Sequence, residues 1–233
     1  AASDVYKRQQ IVICIDEFQQ ISDFEDSKTF QKKLRSVWQL QQHVSYCLFG
    51  SKKHLMNELF EKKNLPFYKF GDAIYLAKIE TKYWIEYICK RFENTGKHIS
   101  PELAEEICRL VDNHSSYVQQ LSWLLWIRTI NTATTEQLSY ALEDLLDQNN
   151  ILFQSETENL SAYQMNFLKA IVDGIHTKFS SKEVISKYNL GTSANIVRLK
   201  NALLQKELIE TNGKEIVLAD PVFEVWFKKE MLY

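Results

Sequence analysis

The stretch "IVICIDE", Ile11 to Glu17, runs five apolar residues straight into an adjacent Asp and Glu. Its β-branched run lacks the apolar and polar alternation of a half-exposed strand, so it reads as a strand buried on both faces of a parallel sheet. A second such run is "VSYCLFG", Val44 to Gly50. Between them Phe30, Leu34, Val37, Trp38 and Leu40 recur at helical spacing with charges on the opposite side. Strand, helix, strand in that order is a βαβ crossover, which makes the two strands parallel. Asp16 and Glu17 then leave the first strand at its carboxyl end, where open α/β sheets bind ligands.

Downstream, "GSKKHLMNELFEKK", Gly50 to Lys63, predicts a helix with apolar Leu55, Met56, Leu59 and Phe60. "LPFYKFGDAIYLAKI", Leu65 to Ile79, offers a third short strand at Ala73–Leu76. From Thr81 the period turns helical. Trp84, Ile85, Ile88 and Phe92 mark one helix, and Ser100 followed by Pro101 starts another as N-cap and first-turn proline. "SYVQQLSWLLWIR" gives a third, and Thr134 with Gln137 opens a fourth on a capping-box spacing. A polar stretch, "NNILFQSETENLS" from Asn149 to Ser161, reads as a linker.

The last module predicts helices over Tyr163–Val172, Ser181–Tyr188 (Ser180 and Glu183 spaced as a capping box) and Ser193–Lys206, with a turn at Gly191. A hairpin about Asn212-Gly213 and an amphipathic helix in "DPVFEVWFKKEM" follow. That order is a winged helix-turn-helix.

Composition narrows the alternatives. With 233 residues, 45% hydrophobic and 12% aromatic, the chain can bury one large core or several small ones. A net charge of -2 gives no global reason to expect a nucleic-acid or membrane partner. Cys14, Cys47, Cys89 and Cys108 stand singly in apolar runs, without metal-ligand spacing to the histidines, and read as reduced core residues of a cytoplasmic protein. No apolar run approaches the roughly 20 residues of a membrane span.

In P-loop NTPases an Asp at the end of such a strand holds Mg²⁺ and a following Glu polarises the attacking water, because phosphoryl transfer needs charge neutralisation and a positioned nucleophile. Asp16 is thus the candidate metal residue and Glu17 the candidate base. The same pair can also simply end a strand.

"IVICIDEFQQI" resembles the Walker B segment of the STAND branch of the AAA-type P-loop ATPases, in particular the archaeal-type ATPase family. "CLFGS" resembles that family's next core strand, which puts Ser51 at its polar sensor position. "NHSSYVQQLSWLLW", Asn113 to Trp126, resembles the lid helix near the nucleotide base, which implies base contacts at His114 and Tyr117. Residues 10–80 would then be the C-terminal half of an α/β P-loop NTPase core with parallel strands, 81–150 an all-α lid, and 151–233 the winged helix domain. ATP or ADP with Mg²⁺ would be the ligands of the complete protein, whose role would be regulatory. Lys52 and Lys53, just after the sensor strand, either face phosphate or start a solvated helix.

Departures qualify the resemblance. None of the six glycines forms G-x-x-x-x-G-K-[ST], the loop whose amides and Lys cradle phosphates. Ser115 stands where the family places a proline, and no arginine is assignable as a finger. "DVYKRQ", Asp4 to Gln9, is similar to a translated sequencing adapter, so residues 1–9 are read as foreign to the fold. The expectation is a fragment lacking the Walker A region, which alone neither binds nor hydrolyses ATP and leaves strand edges unpaired.

The alternative is a DNA-binding regulator acting through the winged helix. Asn195, Arg198, Lys200, Asn201 and Lys206 suit groove and phosphate contacts. From Leu160 onward, however, ten Lys and Arg face eight Asp and Glu, so packing against the ATPase core or another protein is the preferred use of this module.

Overall fold

The computed structural model describes residues 10–231, the side chains of Lys53 and His54 apart. The segment read as foreign, 1–9, lies outside them. The chain divides into two compact units between Leu76 and Ala77.

In the first unit, strand β1 (Ile11–Ile15) pairs in parallel with β2 (Val44–Leu48), Ile11 opposite Val44 and Ile15 opposite Leu48. Helix α1 (Ser27–Trp38) makes the crossover, and α2 (Lys53–Glu61) follows β2. A 3-10 turn, Phe18–Asp23, folds the chain leaving β1 back beneath the sheet. Phe18, Ile21, Trp38, Leu59 and Phe67 form the core, with Ile15, Tyr46 and Leu48 packed against it from the sheet. Phe18 meets Phe67 edge-on at 5.3 Å and Trp38 stacks on Tyr46 at 4.1 Å. The Arg35 guanidinium donates to the Tyr68 carbonyl at 3.3 Å and lies 5.6 Å from the Phe70 ring, tying the segment after α2 to α1.

Four expectations need correcting here. The strands are not buried on both faces: in β2, Tyr46 and Leu48 are half-buried while Ser45 and Cys47 are exposed, and in β1 only Ile15 is half-buried. Two strands have one core beneath them, and among the described residues of this unit no second layer covers the other face. Cys14 and Cys47 are accordingly exposed rather than core residues, although Cys108 in the second unit is buried. Ala73–Leu76 forms no strand and Leu76 is 92% exposed, because a strand requires a hydrogen-bonding neighbour and none among the described residues pairs with it. Finally, α1 ends at Trp38, so Leu40 lies beyond it and, with Val37 and Phe30, faces out.

The second unit begins with α3 (Thr81–Glu93), α4 (Pro101–Leu110) and α5 (Ser115–Arg128). Ser100 caps α4 by accepting from Leu103 N at 3.2 Å, with Pro101 in the first turn. Thr134 and Gln137 form the expected capping box at the start of α6 (Thr135–Glu158). This helix continues for 24 residues through the stretch read as a linker. Buried Phe153 and Thr157, four apart, hold its last turns inward, and the Thr157 hydroxyl donates back to the Phe153 carbonyl at 3.0 Å. The polar residues that imitate a linker include the exposed side of those turns.

Helices α7 (Ala162–Val172), α8 (Lys182–Lys187) and α9 (Ser193–Gln205) follow, then the hairpin β3 (Ile209–Asn212) and β4 (Glu215–Leu218), and α10 (Pro221–Met231). Ser181 rather than Ser180 caps α8, through Val184 N at 3.3 Å. Asn212 pairs with Glu215, so Gly213 and Lys214 make the turn, and Gly213 takes the positive φ, 62°, that its first position needs. One continuous core runs from Trp84 through Leu121, Leu145 and Phe153 to Trp226 and Phe227. Among the described residues no helix is long and apolar enough to cross a membrane.

Candidate functional site

At the carboxyl end of β1 the chain turns sharply. Glu17 sits in the left-handed region at φ 49°, ψ 41°, and its amide donates to Asp16 Oδ1 at 2.9 Å. A non-glycine residue held there costs local free energy that the surroundings must offset. They do so through the strand ends: Phe49 N donates to Ile15 O at 2.9 Å and Phe18 N to Phe49 O at 2.8 Å, extending the ladder past the acidic pair. Asp16 is exposed and Glu17 half-buried.

Ser51, three residues past β2, points its hydroxyl at the same place. Ser51 Oγ donates to Glu17 Oε2 at 2.9 Å, and Gln19 Nε2 donates to that oxygen as well. Gln19 is only 2% exposed, and its own Oε1 has no hydrogen-bond partner. It is wedged against Gly50, where a Cβ would overlap both its side-chain oxygen and the Met56 side chain. Two neutral donors on one oxygen fix the Glu17 carboxylate while Oε1 remains for a further partner. Gln19 was not among the sequence candidates; only its place two residues after Glu17, on a turn folded back into the core, makes it part of the site.

Among the described residues no group of three His, Cys, Asp or Glu side chains could hold a metal ion alone. Mg²⁺ does not require one, since it is commonly held by one or two carboxylates together with phosphate oxygens and water. The exposed Asp16 carboxylate at a strand end fits that limited role. Lys52 is the N-cap residue of α2, and the Lys53 side chain lies outside the described residues.

The other two candidates belong to the second unit. His114 is the N-cap of α5 through its backbone only, with Val118 N donating to its carbonyl at 2.8 Å. Its ring stands 4.7 Å from Tyr117, and its Nδ1 is buried without a partner. Tyr117 is 9% exposed, and its hydroxyl donates to Asp220 Oδ2 at 2.5 Å. Burial first, and then Asp220, push the phenol far above its ordinary range. Asp220 also caps α10, accepting from Val222 N at 2.7 Å and Phe223 N at 2.9 Å. The structure thus brings Glu17 together with Ser51, and His114 together with Tyr117, each pair within its own unit.

Parallel strands joined by a crossover helix, then a run of helices, then a winged helix: this is an arrangement found in P-loop ATPases. The chain matches a solved Walker-type ATPase of Pyrococcus abyssi with TM-score 0.71 at 17% identity, over 94% of this chain and 63% of that one. It therefore spans less than two thirds of that ATPase. The ADP form of the ORC2 protein of Aeropyrum pernix matches at TM-score 0.50 and 13% identity, over 96% and 65% of the two chains. The RuvB Holliday junction branch migration motor of Thermotoga maritima gives 0.47 and 13%, over 100% and 73%. At such identities the likeness is one of fold. A family model described as "Probable winged helix domain" matches residues 151–229. No curated protein sequence matches.

Proposed function

We propose that this chain carries the Walker B portion, lid and winged helix of a STAND-type regulatory ATPase acting in the cytoplasm, with its phosphate loop supplied by polypeptide outside these 233 residues. The observation that carries the reading is the Ser51 hydroxyl 2.9 Å from the Glu17 carboxylate at the end of two parallel strands. Mg²⁺, when bound with ATP, supplies charge neutralisation at the phosphates. Asp16 would hold that ion. Glu17 would orient a water and draw its proton through Oε1, while Ser51 and Gln19 keep the carboxylate in one rotamer. The fold likeness to a Walker-type ATPase supports this reading, which, with no G-x-x-x-x-G-K-[ST] in these 233 residues, requires a phosphate cradle from other polypeptide.

Changing Glu17 to Gln in the protein that contains both this segment and its phosphate loop should abolish hydrolysis and leave ATP binding intact. Unchanged turnover would remove Glu17 from the role. For the 233-residue chain alone calorimetry should show no tight ATP binding; a submicromolar affinity would contradict the missing cradle.

A second reading, DNA binding through α9, is favoured by one observation. Ile196, Leu199 and Leu203 hold the inner face of α9, while Arg198, Asn201 and Lys206 are exposed. Asn195 is less available, since its side-chain amide donates to the Leu190 carbonyl at 3.0 Å. A salt-dependent mobility shift with duplex DNA, weakened by Arg198→Ala, would support this use. No shift at low salt would eliminate it.

A further inference from the structure

Helices α3 and α5 line an open cleft of about 530 Å³ whose walls include Tyr87, Arg91, Thr95, Gln119, Trp123 and Trp126. That volume lies within the range of small-molecule sites, which are mostly apolar with a few placed polar groups. The acidic pair belongs to the other unit. His114 and Tyr117 lie nearer the amino end of α5, Tyr117 about 9 Å along the helix from Trp123 at 1.5 Å per residue.

Three features of the walls point to a ligand. Trp123 is 56% exposed, an unusual place for the largest apolar side chain, and Tyr87 across the cleft is exposed too. Trp126 is fixed on every polar handle: its indole N–H donates to Thr95 Oγ1 at 2.9 Å, its carbonyl accepts from Lys97 Nζ at 2.6 Å, and that ammonium lies 4.1 Å from the ring centroid. The Trp126 indole is thus held in one orientation before any ligand arrives. Opposite it, the Arg91 guanidinium stacks at 5.1 Å from the Tyr87 ring, and among the described residues no carboxylate pairs with it. None of the cleft's lining residues is acidic.

We propose that this cleft binds a small planar aromatic carboxylate, its ring against Trp123 and Tyr87 and its carboxylate on Arg91. Flat ring faces favour a planar partner over a branched aliphatic one. A single guanidinium fork matches one carboxylate in bidentate geometry, whereas a phosphate dianion gains from a cluster of donors that the cleft does not supply. Ser122 uses its hydroxyl donor on the Val118 carbonyl and Gln119 one of its two amide hydrogens on the Ser115 carbonyl, so Arg91, the one charged residue lining the cleft among the described residues, is the principal polar anchor. This proposal does not depend on the ATPase reading.

The test is calorimetric titration of the full chain with naphthalene-2-carboxylate and with the neutral naphthalene-2-carboxamide. The acid should bind saturably and at least about tenfold more tightly than the amide, as a charge-assisted pair predicts. Arg91→Gln should remove that preference and leave amide binding unchanged, while Trp123→Ala should weaken both; Trp123 is exposed, so the variant keeps its core. Equal affinities for acid and amide, an unaffected Arg91→Gln, or no saturable binding below about 5 mM would overturn the proposal. So would displacement of the probe by lower concentrations of adenosine monophosphate, which would reassign the cleft to a nucleotide.

Discussion

The Tyr117 hydroxyl donates to Asp220 Oδ2 at 2.5 Å, joining residues 103 positions apart and linking the start of α5 to the start of α10. Because Asp220 also caps α10 through its other oxygen, one carboxylate ties α5 to the last helix of the winged module. Tyr117→Phe leaves that carboxylate short of a donor in a partly buried place and should cost about 1.5–3 kcal/mol, the range for hydrogen bonds to charged groups. Urea unfolding at neutral pH measures it. The sign reverses in alkali: the native phenol is raised above its unfolded value, so the native state retains the proton longer. The wild type therefore loses stability relative to Tyr117→Phe as pH climbs past the ordinary tyrosine value.

Glu156 gives a second pH signature. Burial, and after it Asp220, raise its carboxyl above the usual glutamate value. The native state therefore binds its proton more tightly than the unfolded chain does, and stability falls as pH rises from the ordinary value through the raised one. Glu156→Gln should stabilise the chain above that window and leave it nearly unchanged below. Parallel denaturation curves of the two proteins at every pH would show that the shift is absent.

Thiol reactivity should separate the units. Cys14 and Cys47 are exposed on the open face of the sheet, whereas Cys108 is buried and its thiol pushed up to about 11. At pH 8 only about one Cys108 thiol in a thousand is then ionised, and it is shielded as well. Ellman's reagent should label Cys14 and Cys47 rapidly in the native chain and Cys108 only on unfolding. Rapid native labelling of Cys108 would contradict the packing described for α4.

Gln19→Leu tests the support of Glu17. The change removes one donor to the carboxylate, but it also removes a buried oxygen with no partner, so stability should move by less than about 1 kcal/mol in either direction. Gln19→Ala, which opens a void beside Gly50 and Met56, should cost more. The comparison is read from urea midpoints. Equal losses for the two variants would show that the hydrogen bond, not the packing, keeps Gln19 in place.

Much of this architecture is legible where local pattern and tertiary role agree. The runs at Ile11 and Val44, with a helical period between them, define the parallel pair, and the caps at Ser100 and Thr134 place two helix starts. Pattern fails where a partner decides the outcome. Ala73–Leu76 has strand composition but, among the described residues, no strand to pair with. Asn149–Ser161 is polar enough for a linker, yet Phe153 and Thr157 keep it helical through contacts the surrounding composition conceals. The site divides the same way. Asp16 and Glu17 are visible as charges ending an apolar run, whereas Gln19 joins them only because the 3-10 turn folds it inward, and nothing local to Tyr117 announces Asp220.

The unbroken course of α6 has a mechanical corollary. Twenty-four residues at 1.5 Å each form a strut about 36 Å long, and its second half is held by the Trp226 indole donating to Asn150 Oδ1 at 2.9 Å. Because Leu145 and Phe153 of this helix are buried in the same core as Leu121, Phe223 and Trp226, it is a stiff connection between α5 and α10 rather than a slack tether.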